Sequence, residues 1–230
     1  MTLHVVVKGR GVPVLVLHGL LSDHTQVYPL LPALAGCKAY FPDLLGCGKT
    51  DEQFSVNIVR ENAALLGEFC RKHHIQTVIA YSMAGMIALE LGLPNTIFVS
   101  AYCTNPVLHG PLGAIKGREP AVEILLVRYK LHLQKLLARM QYKDMPGLQE
   151  ASVDAGVYYL VASLADHRRE AKLLRRALVV HGTQDQLIYP ALGEILADAT
   201  GAEALFVHAD HTSILHNKTA HAVISRFIHG

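Results

Sequence analysis

The sequence predicts an α/β protein in which a mainly parallel sheet carries helices on both faces and a helical segment is inserted. Short β-branched, apolar runs alternate with helix-like segments from residue 3 to about residue 104, and this alternation resumes at Ala177. Between these two parts, apolar residues recur at helical spacing. The predicted core is therefore residues 1–104 and 176–230. Residues 105–175 form a predicted helical cap.

The predicted strands are apolar runs that are bounded by small or polar residues, as is typical of buried parallel strands. They cover residues 5–7, 14–17, 39–41, 78–81, 97–100, 177–180 and 204–207. The predicted helices have apolar residues three or four positions apart. They cover residues 28–34, 57–70, 83–91 and 189–199, and a terminal helix contains residues 220–228. The apolar stripe of the cap is either a packing face or a face for a partner.

Composition excludes several classes of protein. Apolar residues make up 51% of the chain and charged residues 17%, which argues against disorder. No apolar run approaches the roughly 18 residues of a membrane span, and the apolar part of the amino terminus is too short for a secretory signal. The cysteines show no paired spacing, which favours buried, inert thiols and a reducing compartment. We therefore expect a cytoplasmic protein.

Ser82 lies in the most informative segment of the chain, residues 77–89. The first half of this segment is typical of a strand and the second half of a helix, so the serine lies at the turn between them. A sharp turn of this kind brings the flanking positions, Ala80 and Ala84, against each other, and only small residues fit there. It also exposes the hydroxyl at the carboxyl end of the sheet. Taken alone, small residues near the end of a strand more often reflect ordinary packing than a functional turn.

Polar residues follow three other predicted strands. His18 and Gly19 form a turn after the second strand, and its amides could face Ser82. Asp185 comes shortly after the sixth strand, and His208 and His211 follow the seventh. A nucleophile, an acid and a base thus follow apolar strands in the order Ser, Asp, His.

With these motifs the chain resembles the α/β-hydrolase superfamily, in particular its small esterase-like members with a helical lid. The resemblance covers nearly the whole chain and departs from the family at Ala80 and Ala84, where the family usually has glycine. It rests on five motifs in the family's order, namely the His18-Gly19 turn, the 41–50 loop, the Ser82 elbow, the 182–185 acid turn and the late His211.

The resemblance implies a catalytic triad and an oxyanion hole. Ser82 would be the nucleophile, His211 the base and Asp185 the acid that orients the base. The backbone amides of Leu20 and Met83 would donate to the oxyanion. The resemblance implies no cofactor.

Other polar residues near these motifs are rivals or supports. His208 is a second candidate for the base, but the family pattern favours a histidine directly after the turn that follows the last strand. Asp210 is too close to His211 in sequence to orient it well. We expect His18 to brace the oxyanion turn, and Asp43 to pin its loop through backbone amides.

Metal and dinucleotide sites lack their usual sequence patterns. The densest histidine group, His208 to His216, has no zinc signature. The pair Gly46 and Gly48 lacks the third glycine and the following helix of a dinucleotide fingerprint. We therefore expect neither a metal nor a cofactor.

The sequence thus predicts a serine hydrolase that cleaves a carboxylic ester or thioester through an acyl-serine intermediate. The surroundings of the site suit an uncharged or medium-length acyl group, because they offer Leu20, Leu21 and Met83 together with the cap's leucines and its Tyr158 and Tyr159. The alternative is a non-hydrolytic protein of the same fold, either a lyase or a binding protein with an idle triad.

Basic residues concentrate in and next to the predicted cap. Residues 111–176 contain 12 Lys and Arg against 7 Asp and Glu, a net charge of +5, whereas the whole chain has 21 − 19 = +2 and the remainder therefore −3. This excess is either a solvated surface or a docking face for an acidic partner that presents an acyl chain, such as an acyl carrier protein. In this respect the chain is similar to esterases that release pimeloyl carrier methyl ester in biotin synthesis. Nucleic acid is not expected, because aromatic residues do not interleave with the basic ones.

Overall fold

A seven-stranded sheet forms the centre of the computed structural model, which describes residues 2–50, 54–104, 155–156, 158–160, 162–163 and 165–230. The strand order across the sheet is β1-β3-β2-β4-β5-β6-β7. The strands are β1 (Val5–Gly9), β2 (Val12–Leu17), β3 (Cys37–Pro42), β4 (Thr77–Tyr81), β5 (Asn95–Val99), β6 (Arg176–Gly182) and β7 (Glu203–Val207). Only the edge strand β1 is antiparallel to its neighbour, β3, and all other pairs are parallel. The predicted mainly parallel sheet is confirmed.

Helices cover both faces of this sheet, as predicted. They are α1 (Ile58–His73), α2 (Ala84–Leu91), α3 (Arg168–Ala171), α4 (Pro190–Thr200) and α5 (Lys218–His229). Side chains of each strand alternate between the two faces. Leu15 and Leu17 of β2 pack in a core with α1, α2 and α4, whereas Val14 and Val16 pack in a second core with α5. All four of these side chains are fully buried.

The predicted helix at residues 28–34 is a 3-10 helix that already begins at His24 and ends at Leu34. Pro29 and Pro32 lie within it, and a proline has no amide hydrogen for the α-helical hydrogen bond. The Asp23 side chain caps the start by accepting a hydrogen bond from the Thr25 amide (2.8 Å). The prolines therefore account for the 3-10 form of the predicted helix.

Most of the predicted cap, including residues 105–154, lies outside the described residues, and its boundaries stay a prediction. Tyr159, which is described, is 1% exposed and contacts the core. Its hydroxyl donates to the Leu45 carbonyl (3.1 Å) and accepts from the Asn62 side-chain amide (2.8 Å). This side chain therefore links the segment predicted as the cap to α1 and to the loop after β3, and its place near the acyl group stays a prediction.

All four cysteines are free and buried. Burial raises the pKa of Cys47 and of Cys70 to about 12, and that of Cys103 to about 11. These thiols are therefore protonated at neutral pH, in agreement with the expectation that they are inert. Within the described part of the chain, no helix has both the length and the apolar character that a membrane crossing requires. The cytoplasmic location stays a prediction.

Candidate active site

Ser82 occupies the sharp turn between β4 and α2, with a backbone φ of +56°. A serine in this left-handed region is strained, and such strain persists only where the surroundings impose it. Here the Ser82 amide donates to the Val99 carbonyl of β5 (2.9 Å), and the Ser82 carbonyl accepts from the Gly85 amide (3.0 Å). The side chain is 7% exposed at the carboxyl end of the sheet. The predicted sharp turn between strand and helix is therefore present, and the role of Ser82 as nucleophile stays a prediction.

Gly85, next to this turn, leaves no room for a side chain. Ala80 and Ala84 are fully buried and fit in the turn. A Cβ added at Gly85, in contrast, would lie 2.8 Å from the Ala101 Cβ, closer than real Cβ atoms approach one another. Glycine is therefore needed at Gly85, where α2 approaches the residues that follow β5. At Ala80 and Ala84, where the family usually has glycine, alanine fits.

His211 lies between Ser82 and Asp185. Its Nε2 is 3.0 Å from the Ser82 Oγ, and its Nδ1 is 2.7 Å from the Asp185 Oδ2. An ionised carboxylate can only accept, so the Nδ1–H donates to Asp185 and leaves Nε2 to accept the serine proton. The three predicted triad residues are therefore within hydrogen-bonding distance in the order that proton transfer from the serine requires.

Asp185 is held as an ionised, oriented acceptor. It is buried, and its Oδ1 accepts hydrogen bonds from the amides of Leu187 (2.9 Å) and Ile188 (2.8 Å). Burial alone would raise its pKa, but the hydrogen bond from His211, the charge that His211 carries when protonated and the amide of Ile188 together lower the pKa below its ordinary value. The carboxylate therefore stays charged at neutral pH and can stabilise a protonated imidazole.

The rival residues lie elsewhere. His208 is exposed, and His211 rather than His208 contacts the serine. Asp210 caps the following turn, where its Oδ1 accepts from the amides of Thr212 (2.9 Å) and Ser213 (2.7 Å). The structure thus brings Asp185 and His211 to the serine. Their catalytic roles stay a prediction.

The turn that carries the predicted oxyanion donors packs directly against the nucleophile. A Cβ added at Gly19 would lie 3.2 Å from the Ser82 Cβ and 3.2 Å from the Tyr81 Cδ1. Met83 follows Ser82 directly and is the N-cap of α2, where amides have no intrahelical partner. Among the described residues, no hydrogen bond engages the backbone amide of Leu20 or Met83. Both amides are therefore free to donate, and the oxyanion hole itself stays a prediction.

His18 braces this turn, in agreement with the expectation from sequence. It is fully buried, its Nδ1–H donates to the Gly19 carbonyl (2.8 Å), and its Nε2 accepts from the Leu44 amide (3.0 Å). Burial lowers the pKa of His18, so the imidazole stays neutral and can make one bond of each kind. His18 thereby joins the oxyanion turn to the loop that follows β3.

Asp43 pins that loop through backbone amides, as expected, and also binds two histidines that sequence reasoning missed. Its Oδ1 accepts from the His24 amide (2.9 Å) and the His24 Nδ1 (2.7 Å). Its Oδ2 accepts from the Lys49 amide (2.9 Å) and the His4 Nδ1 (2.8 Å). The two imidazoles and the carboxylate offer ligand atoms within 4.8 Å of one another. Each carboxylate oxygen already accepts two hydrogen bonds, so the cluster is explained as a junction that fixes the loop.

Tyr81 and His181 also touch the site and were not predicted. The Tyr81 hydroxyl donates to the His211 backbone carbonyl (2.8 Å). The His181 Nε2–H donates to the Ile188 carbonyl (2.8 Å), on the turn that holds Asp185. Both residues lie in strands that precede the predicted triad residues. The sequence does not indicate that their side chains bind the backbone carbonyls of His211 and Ile188.

The comparisons with known proteins agree with this fold. The model of the alpha/beta hydrolase family matches residues 14–226. No protein with a curated description matches the chain. Among solved structures, a thermophilic esterase from Thermogutta terrifontis (malate bound) aligns with a TM-score of 0.75 and 17% identity, over 99% of this chain and 94% of that chain.

Two further structures align over the same length. The enol-lactonase from Burkholderia xenovorans LB400 has a TM-score of 0.73 and 19% identity, over 99% of this chain and 96% of that chain. The bromoperoxidase from Bacillus anthracis has a TM-score of 0.71 and 16% identity, over 99% of this chain and 95% of that chain. At these identities the likeness shows the fold, and the chemistry has to be argued from the site.

Proposed function

Since the chain belongs to the alpha/beta hydrolase family, we propose that it is a serine hydrolase that cleaves a carboxylic ester or thioester through an acyl-serine intermediate. The observation that carries this proposal is the His211 imidazole, which bridges the Ser82 hydroxyl (3.0 Å) and the Asp185 carboxylate (2.7 Å). Esterase and lactonase structures with the same fold support hydrolysis.

The geometry supports the following sequence of steps. His211 Nε2 takes the proton from the Ser82 hydroxyl as its oxygen attacks the acyl carbon, and the carbonyl oxygen becomes negatively charged. The amides of Leu20 and Met83 donate to this oxygen. His211 then gives the proton to the departing alcohol or thiol, and a water molecule repeats the attack on the acyl-serine. Asp185 stays ionised throughout and stabilises the protonated imidazole.

The alternative is a non-hydrolytic chemistry on the same fold, or an idle triad. One structural neighbour is described as a bromoperoxidase rather than as an esterase or a lactonase. A lyase would use Ser82 and His211 for proton transfer without forming a covalent adduct, and a binding protein would use neither. The proposal therefore requires that the Ser82 hydroxyl forms a covalent adduct, and the alternatives do not.

A fluorophosphonate probe tests the proposal. We expect a stable adduct on the peptide that contains Ser82, identified by mass spectrometry, and no adduct in Ser82→Ala. The same protein should release the alcohol from an activated ester with a burst that matches the concentration of active sites. A wild-type protein that neither binds the probe nor turns over esters would contradict the proposal.

The finer proposal is that the substrate is presented by an acidic carrier protein, pimeloyl carrier methyl ester being one example. It is supported by charge on the described end of the inserted segment. Arg169, Lys172 and Arg175 are exposed there, and next to them Leu173 is 77% exposed. Exposed cations around an exposed leucine suit a partner that is acidic with an apolar contact point.

Two neighbouring arginines already have intramolecular contacts. Arg168 pairs with Asp166, and the Arg176 guanidinium lies 4.0 Å from the centre of the Phe227 ring. The other basic residues of the cap, between 116 and 143, lie outside the described residues. Arg169, Lys172 and Arg175 are therefore the better choice for charge reversal.

Salt dependence separates a carrier substrate from a free one. Turnover of a carrier-bound ester should fall steeply with added salt, because exposed charge pairs are screened over about 10 Å at 0.1 M salt. Turnover of a small neutral ester should change little. Reversing Arg169 and Lys172 to Glu should reproduce this split. The matched double reversal Arg10→Glu with Lys38→Glu, near the edge strand β1, should not. Equal salt sensitivity of both substrates would remove the carrier and leave a small-molecule esterase.

A further inference from the structure

Tyr81 is the last residue of β4 and the covalent neighbour of the nucleophile. It is 2% exposed, and it packs in the core on the face that carries α5, together with Ile79 of the same strand. Its backbone is paired with Val99 of β5, the residue whose carbonyl also holds the Ser82 amide. The position of Tyr81 is therefore fixed by the sheet.

The Tyr81 side chain reaches the base. Its hydroxyl donates to the His211 backbone carbonyl (2.8 Å), across 130 positions of sequence. Its ring centre lies 5.1 Å from that of the His211 imidazole, with the planes tilted by 35°. His211 lies in the loop after β7, at the start of a turn. The phenol thus ties this loop to the strand that carries the nucleophile.

The same ring touches the turn of the predicted oxyanion donors. A Cβ added at Gly19 would lie 3.2 Å from the Tyr81 Cδ1. The Gly19 amide donates to the Gln26 side chain (2.7 Å), which fixes this part of the turn from its other side. Tyr81 is therefore attached to the nucleophile by the chain, to the base by a hydrogen bond and to the oxyanion turn by contact.

We propose that Tyr81 is a positioning residue that holds the base at reacting distance from the nucleophile. This inference rests on the proposed hydrolase function. A shift of about 1 Å in a reacting group lowers turnover by about 100-fold, and the Tyr81 hydroxyl restrains such a shift of the His211 backbone. The hydroxyl is bonded to the His211 backbone, so we expect it to act through His211.

The test is Tyr81→Phe, which keeps the ring and removes only the hydroxyl. We expect kcat for an activated ester to fall by about 5- to 30-fold with KM changed less than 2-fold, because the base is displaced and the binding surface is not. The rate of fluorophosphonate labelling should fall by the same factor. Tyr40→Phe is the matched control, since Tyr40 is also buried but lies on β3 against Phe69 and His73. It should leave kcat unchanged.

A second readout does not depend on activity. In Ser82→Ala, the proton that His211 donates to Asp185 should give a downfield NMR signal, and Tyr81→Phe should shift or broaden it while Tyr40→Phe does not. Unchanged kcat and an unchanged signal in Tyr81→Phe would overturn the inference. A wild-type protein without labelling or turnover, whose signal nevertheless changes in Tyr81→Phe, would instead overturn the proposed function and leave the positioning of His211 supported.

Discussion

Several single residues at this site work in a protonation state that their surroundings impose. The enclosed His18 is neutral because burial lowers its pKa, and it uses one nitrogen as donor and the other as acceptor. Asp185 is charged because its hydrogen bonds outweigh its burial. We can therefore predict whether changing one of these side chains raises or lowers turnover or stability.

The triad makes the first prediction at this scale. Ser82→Ala and His211→Ala should each lower ester turnover by roughly 10⁴- to 10⁶-fold, and the double variant should be little worse, because the residues act as one unit. Steady-state rates with a single activated ester measure this. His208→Ala is the matched control and should keep wild-type turnover. Loss of activity in His208→Ala with activity retained in His211→Ala would reverse the assignment of the base.

The neutral state of His18 predicts an acid-sensitive fold. Its pKa is lowered from 6.5, so just below that pH the unfolded chain binds a proton that the folded chain does not. This contribution to stability is complete above pH 6.5 and is lost as the pH falls. His18→Gln should therefore show a smaller decrease in the free energy of unfolding between pH 7.5 and 5.5 than the wild type. Urea unfolding at each pH measures it, with exposed His216→Gln as control. An unchanged decrease in His18→Gln would refute this account.

At the level of elements, the strands were predictable because their apolar runs are short and bounded. All seven predicted strands lie within or overlap β1 to β7. Ser82, Asp185 and His211 were found because each follows a strand, and strand ends of a parallel sheet share one edge. The helix predicted at residues 28–34 is a 3-10 helix, a type that apolar spacing does not specify. Tyr81, His4 and His24 were missed because their partners are distant in sequence.

The elbow makes a prediction about two adjacent small residues. Ala84→Gly should be tolerated with turnover at least retained, whereas Ala84→Val should lower both soluble yield and turnover, because Ala84 is fully buried. Expression and ester turnover of the two variants measure this. A fully active Ala84→Val protein would show that the turn has more room than its burial indicates.

Gly85 should be even less tolerant of a side chain. Gly85→Ala places a Cβ 2.8 Å from the Ala101 Cβ, and we expect a loss of about 1–3 kcal/mol in the free energy of unfolding. The matched control is Gly67→Ala in α1, where the nearest atoms are 3.6 Å away. There alanine should stabilise the helix by about 0.5–1 kcal/mol. Thermal unfolding of both variants measures the two changes in stability. If Gly85→Ala and Gly67→Ala changed stability equally and in the same direction, this prediction would be wrong.

At the scale of the whole molecule, a buried polar contact joins Tyr159, in the segment predicted as the cap, to the core. Asn62 of α1 donates to both the Tyr159 hydroxyl (2.8 Å) and the Ile58 carbonyl (2.8 Å), and accepts from the Leu45 amide (3.0 Å). Tyr159 completes the group by donating to the Leu45 carbonyl (3.1 Å). This contact joins the insertion, α1 and the loop after β3.

Removing the Tyr159 hydroxyl should destabilise the fold without changing the chemistry. Tyr159→Phe leaves the buried Leu45 carbonyl without this donor, and we expect a loss of about 1–3 kcal/mol in the free energy of unfolding. The fluorophosphonate labelling rate should stay within 2-fold of wild type. Its neighbour provides the control, since Tyr158 is only half-buried against Phe54 and Tyr158→Phe should change stability by less than about 0.5 kcal/mol. If Tyr159→Phe were as stable as Tyr158→Phe, the hydrogen bond of the Tyr159 hydroxyl would not contribute to the stability of the fold.

This tyrosine contact also limits how the protein can be recombined. A chimera that exchanged residues 105–175 for the corresponding insertion of a relative would bring a new side chain to the position of Tyr159. Without a hydroxyl there, Asn62 and the Leu45 carbonyl would remain buried with an unmet hydrogen-bonding requirement. If residues 105–175 are an insertion, we therefore expect a successful graft to carry Tyr159 with it or to change Asn62 to an apolar residue at the same time.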